Sequence, residues 1–110
     1  MISKNSINKV MLIGHVGQDP EIKYTPSGFI VSTFSLATNE QWLDLEKNKK
    51  EHTEWLNIVA WDKLAEFTKD YIKKGQRIYI EGRIHSQSWV DKNNKRQKKY
   101  EIICDSITPL

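Results

Sequence analysis

The sequence predicts an all-β fold, a five-stranded Greek-key barrel with one short helix between strands three and four. Three observations predict it. Runs rich in Val, Ile, Leu and aromatic residues recur along the chain, bounded by glycine, proline or charged stretches. Only one segment carries convincing helical periodicity. Long connections follow the first, second and fourth strands. No repeat, low-complexity tract or linker divides the 110 residues, so a single domain over 1–110 is expected.

Asn8 to Val16 reads as a largely buried strand, interrupted by Gly14 and ended by the turn Gly17-Gln18-Asp19-Pro20. Glu21 to Tyr24 is a short extended piece. Thr25-Pro26-Ser27-Gly28 follows as a turn in which proline pre-sets its own φ. Phe29 to Thr38 is the second long strand, and Trp42 to His52 is expected to be a charged loop. Thr53 to Trp61 is the third strand. Asp62 is placed to cap the helix, where Leu64, Phe67 and Tyr71 form an i, i+3, i+7 stripe with Ala65, Thr68 and Ile72 beside it. Lys73 and Lys74 supply cations for the carbonyl end, and Gly75 offers a left-handed exit. Arg77 to Trp89 is the fourth strand, with Ile78, Ile80, Gly82 and Ile84 sharing one face. Asp91 to Lys99 is expected to be a polar loop, and Tyr100 to Ile107 the closing strand. This order matches the five-stranded oligonucleotide-binding (OB) barrel.

Side chains alternate across a strand with period two, so Trp55, Asn57, Val59 and Trp61 share one face and Leu56, Ile58 and Ala60 the other. The aliphatic face suits a core. The face with two indole rings suits a surface that something flat will touch. Trp42 and Trp89 are likewise embedded in polar sequence. For any one tryptophan, burial in the core is the ordinary reading, but here the alternation and the polar flanks argue against it for all four. Exposed rings on a basic sheet are what stacking of unpaired bases requires.

Seventeen Lys and Arg against 14 Asp and Glu leave a net charge of +3, which permits a polyanionic partner without demanding one. Lys92, Lys95, Arg96, Lys98 and Lys99 concentrate one sign before the last strand, which favours a phosphate track over mere solvation. Cys104 is the sole cysteine and reads as a small buried hydrophobe in a protein of a reducing compartment. His15, His52 and His85 lie on different elements without zinc-ligand spacing, and Gly14-His15-Val16-Gly17 lacks the lysine of a phosphate loop. No serine sits in a nucleophile elbow. Neither enzyme chemistry, a metal nor a cofactor is expected. No stretch is apolar and long enough to span a bilayer, and the polar N-terminus does not read as a signal peptide.

Asn8-Lys9-Val10-Met11-Leu12-Ile13-Gly14-His15-Val16-Gly17-Gln18-Asp19-Pro20-Glu21, Phe34-Ser35-Leu36-Ala37-Thr38 and Thr53-Glu54-Trp55 resemble the bacterial and mitochondrial single-stranded DNA-binding protein family. So do Lys63-Leu64-Ala65-Glu66, Tyr71-Ile72-Lys73-Lys74-Gly75 and Ile78-Tyr79-Ile80-Glu81-Gly82, all in family order. The resemblance implies an OB-fold domain, assembled as a homotetramer, that wraps single-stranded DNA in replication, recombination and repair within the bacterial cytoplasm. It places base-stacking aromatics on Trp42, Trp55, Trp61 and Trp89, and phosphate contacts on Lys9, Lys23, Lys50, Lys63 and Lys74. Where a histidine that contributes to subunit contacts is common after Trp55, this chain has Leu56. Cellular members usually continue into a flexible linker and an acidic tip that recruits replication and repair proteins, whereas this chain stops at Ile107-Thr108-Pro109-Leu110. An OB-fold adaptor that docks proteins and an RNA-binding barrel are the competing readings.

Overall fold

The computed structural model describes residues 5–110. Seven elements follow in order: β1 (Val10–Val16), β2 (Glu21–Tyr24), β3 (Ile30–Leu43), β4 (Lys49–Trp61), α1 (Lys63–Tyr71), β5 (Arg77–Val90) and β6 (Arg96–Pro109). The strands neighbour one another in the order β1-β5-β6-β4-β3-β2, and β3 also pairs with β1, which closes five strands into a barrel. The expected fold class is therefore the observed one. The short piece at Glu21 is a sixth strand, antiparallel to β3 from Thr33 to Ile30. It continues along the same edge of β3 that β1 occupies at His15 and Val16.

Closure depends on two glycines. A Cβ on Gly14 would lie 2.3 Å from the Ala37 carbonyl oxygen, and one on Gly82 would lie 2.3 Å from that of Ile103. Both are backbone clashes that no rotamer change relieves. Gly14 lets β1 pass from β5 to β3, and Gly82 sits at a register irregularity between β5 and β6. All strand pairings are antiparallel except β4 with β6, which are parallel and meet only at Ile58 with Ile102 and Val59 with Ile103. Beyond that short seam the two strands part into separate hairpins.

Val16, Phe34, Leu36, Ile58, Ile78, Ile80, Ile102 and Ile107 fill the barrel, with Ile72 packed from the helix end. Full burial of such side chains contributes about 1.5–3 kcal/mol each before the entropic cost of ordering them. Cys104 is buried among them, and burial pushes its thiol pKa up to about 12, as expected of an inert hydrophobe.

Several local expectations need correction. The stretch from Trp42 to His52 is mostly strand: β3 runs to Leu43 and β4 begins at Lys49, with only a tight Asp44–Asn48 turn between. There the Asp44 carboxylate accepts the Glu46 and Asn48 N–H groups. Likewise β6 begins at Arg96, so the expected polar loop is reduced to a turn over 91–95. Its Asp91 carboxylate accepts N–H groups from Lys95 and Asn93 and the Gln97 amide, which lowers its pKa. Ile84 keeps the face of Ile78 and Ile80, opposite Ile102, but is exposed because it lies where β4 and β6 have parted. Val59 is buried although it shares the tryptophan face.

The helix departs from expectation at both ends and in phase. Ala65 and Thr68 are its buried residues, with Ile72 buried just past its end, while Tyr71 is exposed. Thr68 is tolerated inside because its hydroxyl lies 2.7 Å from the Ser32 hydroxyl on β3. The chain leaves the helix in extended conformation at Ile72, and Gly75, at φ 86, lies in the following turn. Asp62 makes no side-chain capping bond and sits at φ 56, ψ −120. That conformation is costly for any residue with a Cβ, and glycine adopts it freely. Asp62→Gly is expected to stabilise the fold by about 1 kcal/mol, raising the midpoint by roughly 5 °C in a thermal melt.

Candidate nucleic-acid interface

Alternation along β4 puts the Trp55 and Trp61 rings outside the barrel, and the outer sections of the two hairpins carry Trp42 and Trp89. Their relative exposures are 59%, 42%, 48% and 46% respectively. None is a core residue. Trp55 lies over the backbone of Gly17, where a Cβ would come within 2.6 Å of the ring. Glycine there leaves room for the indole to lie against the turn that follows β1.

Between Trp55 and Trp61 on β4 stand Asn57 and Val59, and beside them opens a cleft of about 290 Å³. It is lined also by Gln18, Lys23, Ser35 and Lys99. The Ser35 hydroxyl donates to Gln18 Oε1 at 2.6 Å, which holds the β1–β2 connection against β3. Lys50 is directly opposite Trp42 across the β3–β4 ladder. Lys63 follows Trp61 by two positions and opens α1. These cations are brought to the tryptophan surface by strand register and sequence proximity.

The other two lysines are less directly joined to it. Lys9 Nζ lies 3.5 Å from Glu81, and the Tyr79 hydroxyl and then Lys9 hold the Glu81 carboxyl below its usual pKa. The backbone N–H of Lys74 donates to Asp19, tying the turn after α1 to the β1–β2 connection. Lys23 is 3.4 Å from Glu21, an exposed pair of little energetic weight that can be exchanged for another anion.

Two neighbours of this surface were not singled out from sequence. Tyr100 is exposed, with Lys98 Nζ 5.2 Å from its ring centroid. Glu101 is almost wholly buried beside it. The cationic run before Tyr100 was the available signal, but its significance depends on where β4 and β6 separate. Among the described residues there is no group of three or more His, Cys, Asp or Glu able to hold a metal ion, and no helix long and apolar enough to cross a membrane.

The family model described as "Single-strand binding protein family" matches residues 7–110. A Chlorobaculum tepidum protein named "Single-stranded DNA-binding protein 1" is 51% identical over 94% of this chain. A Neisseria meningitidis "Single-stranded DNA-binding protein" is 44% identical over 96% of it. The chain spans 65% and 60% of the length of these two relatives. Among solved structures, one titled "Plasmodium falciparum SSB complex with ssDNA" superposes with a TM-score of 0.89 at 38% identity, covering 99% of each chain.

Proposed function

The chain belongs to the single-strand binding protein family, and from that premise we propose that it binds single-stranded DNA without reading its sequence and without catalysing a reaction. Bases stack on Trp42, Trp55, Trp61 and Trp89. Lys23, Lys50 and Lys63 guide the phosphates, with Lys9 and Lys74 at the margins. The observation that carries this reading is the outward placement of all four indoles.

Stacking of one base is worth about 1–3 kcal/mol, so four independent platforms supply at most roughly 4–12 kcal/mol. A net charge of +3, screened by salt, contributes less. The wider role is protection of unpaired strands during replication, recombination and repair, by a homotetramer in the bacterial cytoplasm. The names of the bacterial relatives and the structural neighbour's complex with ssDNA support the single-stranded DNA-binding part of this reading.

Oligo-dT is expected to quench the intrinsic tryptophan fluorescence strongly at low salt. Affinity should fall with a log–log salt slope of about −0.7 per phosphate neutralised. An unquenched titration at low salt would overturn the proposal.

A further inference from the structure

Building on the DNA-binding reading, we infer that the backbone of the bound strand crosses the sheet through the cleft between Trp55 and Trp61, that Lys99 holds a phosphate there across from Lys23, and that the buried Glu101 carboxylate limits the grip. The cationic run before the last strand does not act as a block. Alternation along β6 puts Gln97, Lys99 and Glu101 on one face and Arg96, Lys98 and Tyr100 on the other. The parallel pairing of Ile58 with Ile102 and of Val59 with Ile103 fixes which face is which. Glu101 neighbours Asn57, on the side of Trp55 and Trp61. Of the three cations in β6, only Lys99 therefore shares a face with these rings. Lys98 turns away, its Nζ lying 5.2 Å from the Tyr100 ring centroid.

Register also separates the two cations that line the cleft. Lys23 is opposite Val31, which is opposite Trp61, so it stands in the row of that ring. Lys99, two residues before Glu101, lies toward the Trp55 end. Six residues at about 3.4 Å each put the two rings roughly 20 Å apart along β4. A strand stacked on both crosses the cleft, entering beside Lys99 and leaving beside Lys23. Lys99 is exposed and makes no ion pair among the described residues, so a phosphate displaces no carboxylate from it.

Glu101 opposes that passage. It lines the same cleft, and its side chain is only 7% exposed. Its Oε1 lies 3.2 Å from His85 Nδ1 and accepts the Gln87 amide at 3.2 Å. Among the described residues no lysine or arginine pairs with it. A carboxylate with so little water around it is poorly screened, and it repels a passing phosphate more than an exposed one would.

The test titrates wild type, Lys99→Gln, Lys98→Gln and Glu101→Gln with oligo-dT across a salt series, reading tryptophan fluorescence, with a thermal melt on each protein. Lys99→Gln should weaken binding several-fold at low salt and flatten the log–log salt slope by about 0.7, the share of one phosphate. Lys98→Gln removes the same charge one residue away, on the reverse face, and should flatten it far less. Glu101→Gln should tighten binding several-fold at low salt. Should Glu101→Gln fail to fold, the Lys99 and Lys98 comparison decides alone. An unmoved slope in Lys99→Gln, or equal losses in the two lysine variants, would overturn the path while leaving the DNA reading intact. Unchanged or weaker binding by a folded Glu101→Gln would overturn the limiting role of the carboxylate. Absence of quenching in wild type removes the DNA reading and this inference with it.

Discussion

Trp55→Ala weakens oligo-dT binding by roughly 5- to 150-fold and moves the melting temperature by no more than a few degrees. The magnitude follows from the loss of one base-stacking platform, worth about 1–3 kcal/mol. The near-silence in stability follows from position: the ring is 59% exposed and rests on the Gly17 backbone, outside the side chains that fill the barrel. Paired titration and calorimetry separate the two effects. A large drop in melting temperature with unchanged affinity would return Trp55 to a structural role and remove the main support for the proposed function.

The opposite signature is expected at Gly14. Gly14→Ala should destabilise the protein by about 3 kcal/mol or more, enough to send much of the variant into aggregate. The added methyl meets the carbonyl oxygen of Ala37 at 2.3 Å and Leu36 Cγ at 3.1 Å, so the clash is with main chain and with a fully buried side chain. Relief would require β1 to withdraw from β3 at His15 and Val16, which opens the barrel. Chemical denaturation of whatever soluble protein is obtained checks the value. A wild-type midpoint would mean that β1 shifts at little cost.

Much of this organisation was legible because period-two alternation is a strong signal where one face is aliphatic. Leu56, Ile58 and Ala60 identified the inner face of β4 and so turned Trp55 and Trp61 outward. The same rule failed where neither face is apolar. Asn39 to Leu43 and Lys49 to Thr53 pair residue for residue as strands, but no core demands it, and the charged composition of the stretch up to His52 imitates a loop. The helix was found one position out of phase because Tyr71 looked more apolar than Thr68, whose burial depends on a hydroxyl partner 36 residues away in β3. Ile84 kept the face that alternation gave it but lies exposed where β4 and β6 part, which no alternation pattern records.

The outer halves of the two hairpins, from Asn39 to Trp55 and from His85 to Lys99, contain no fully buried side chain. Their ladders are held by amide bonds that water can reach from both sides, so they open locally far more often than the barrel they project from. A ligand lying across Trp42 and Trp89 must therefore quiet two fluctuating arms as it binds. Part of its interaction energy is spent on their lost entropy, and hydrogen exchange in those arms slows only once the strand is in place.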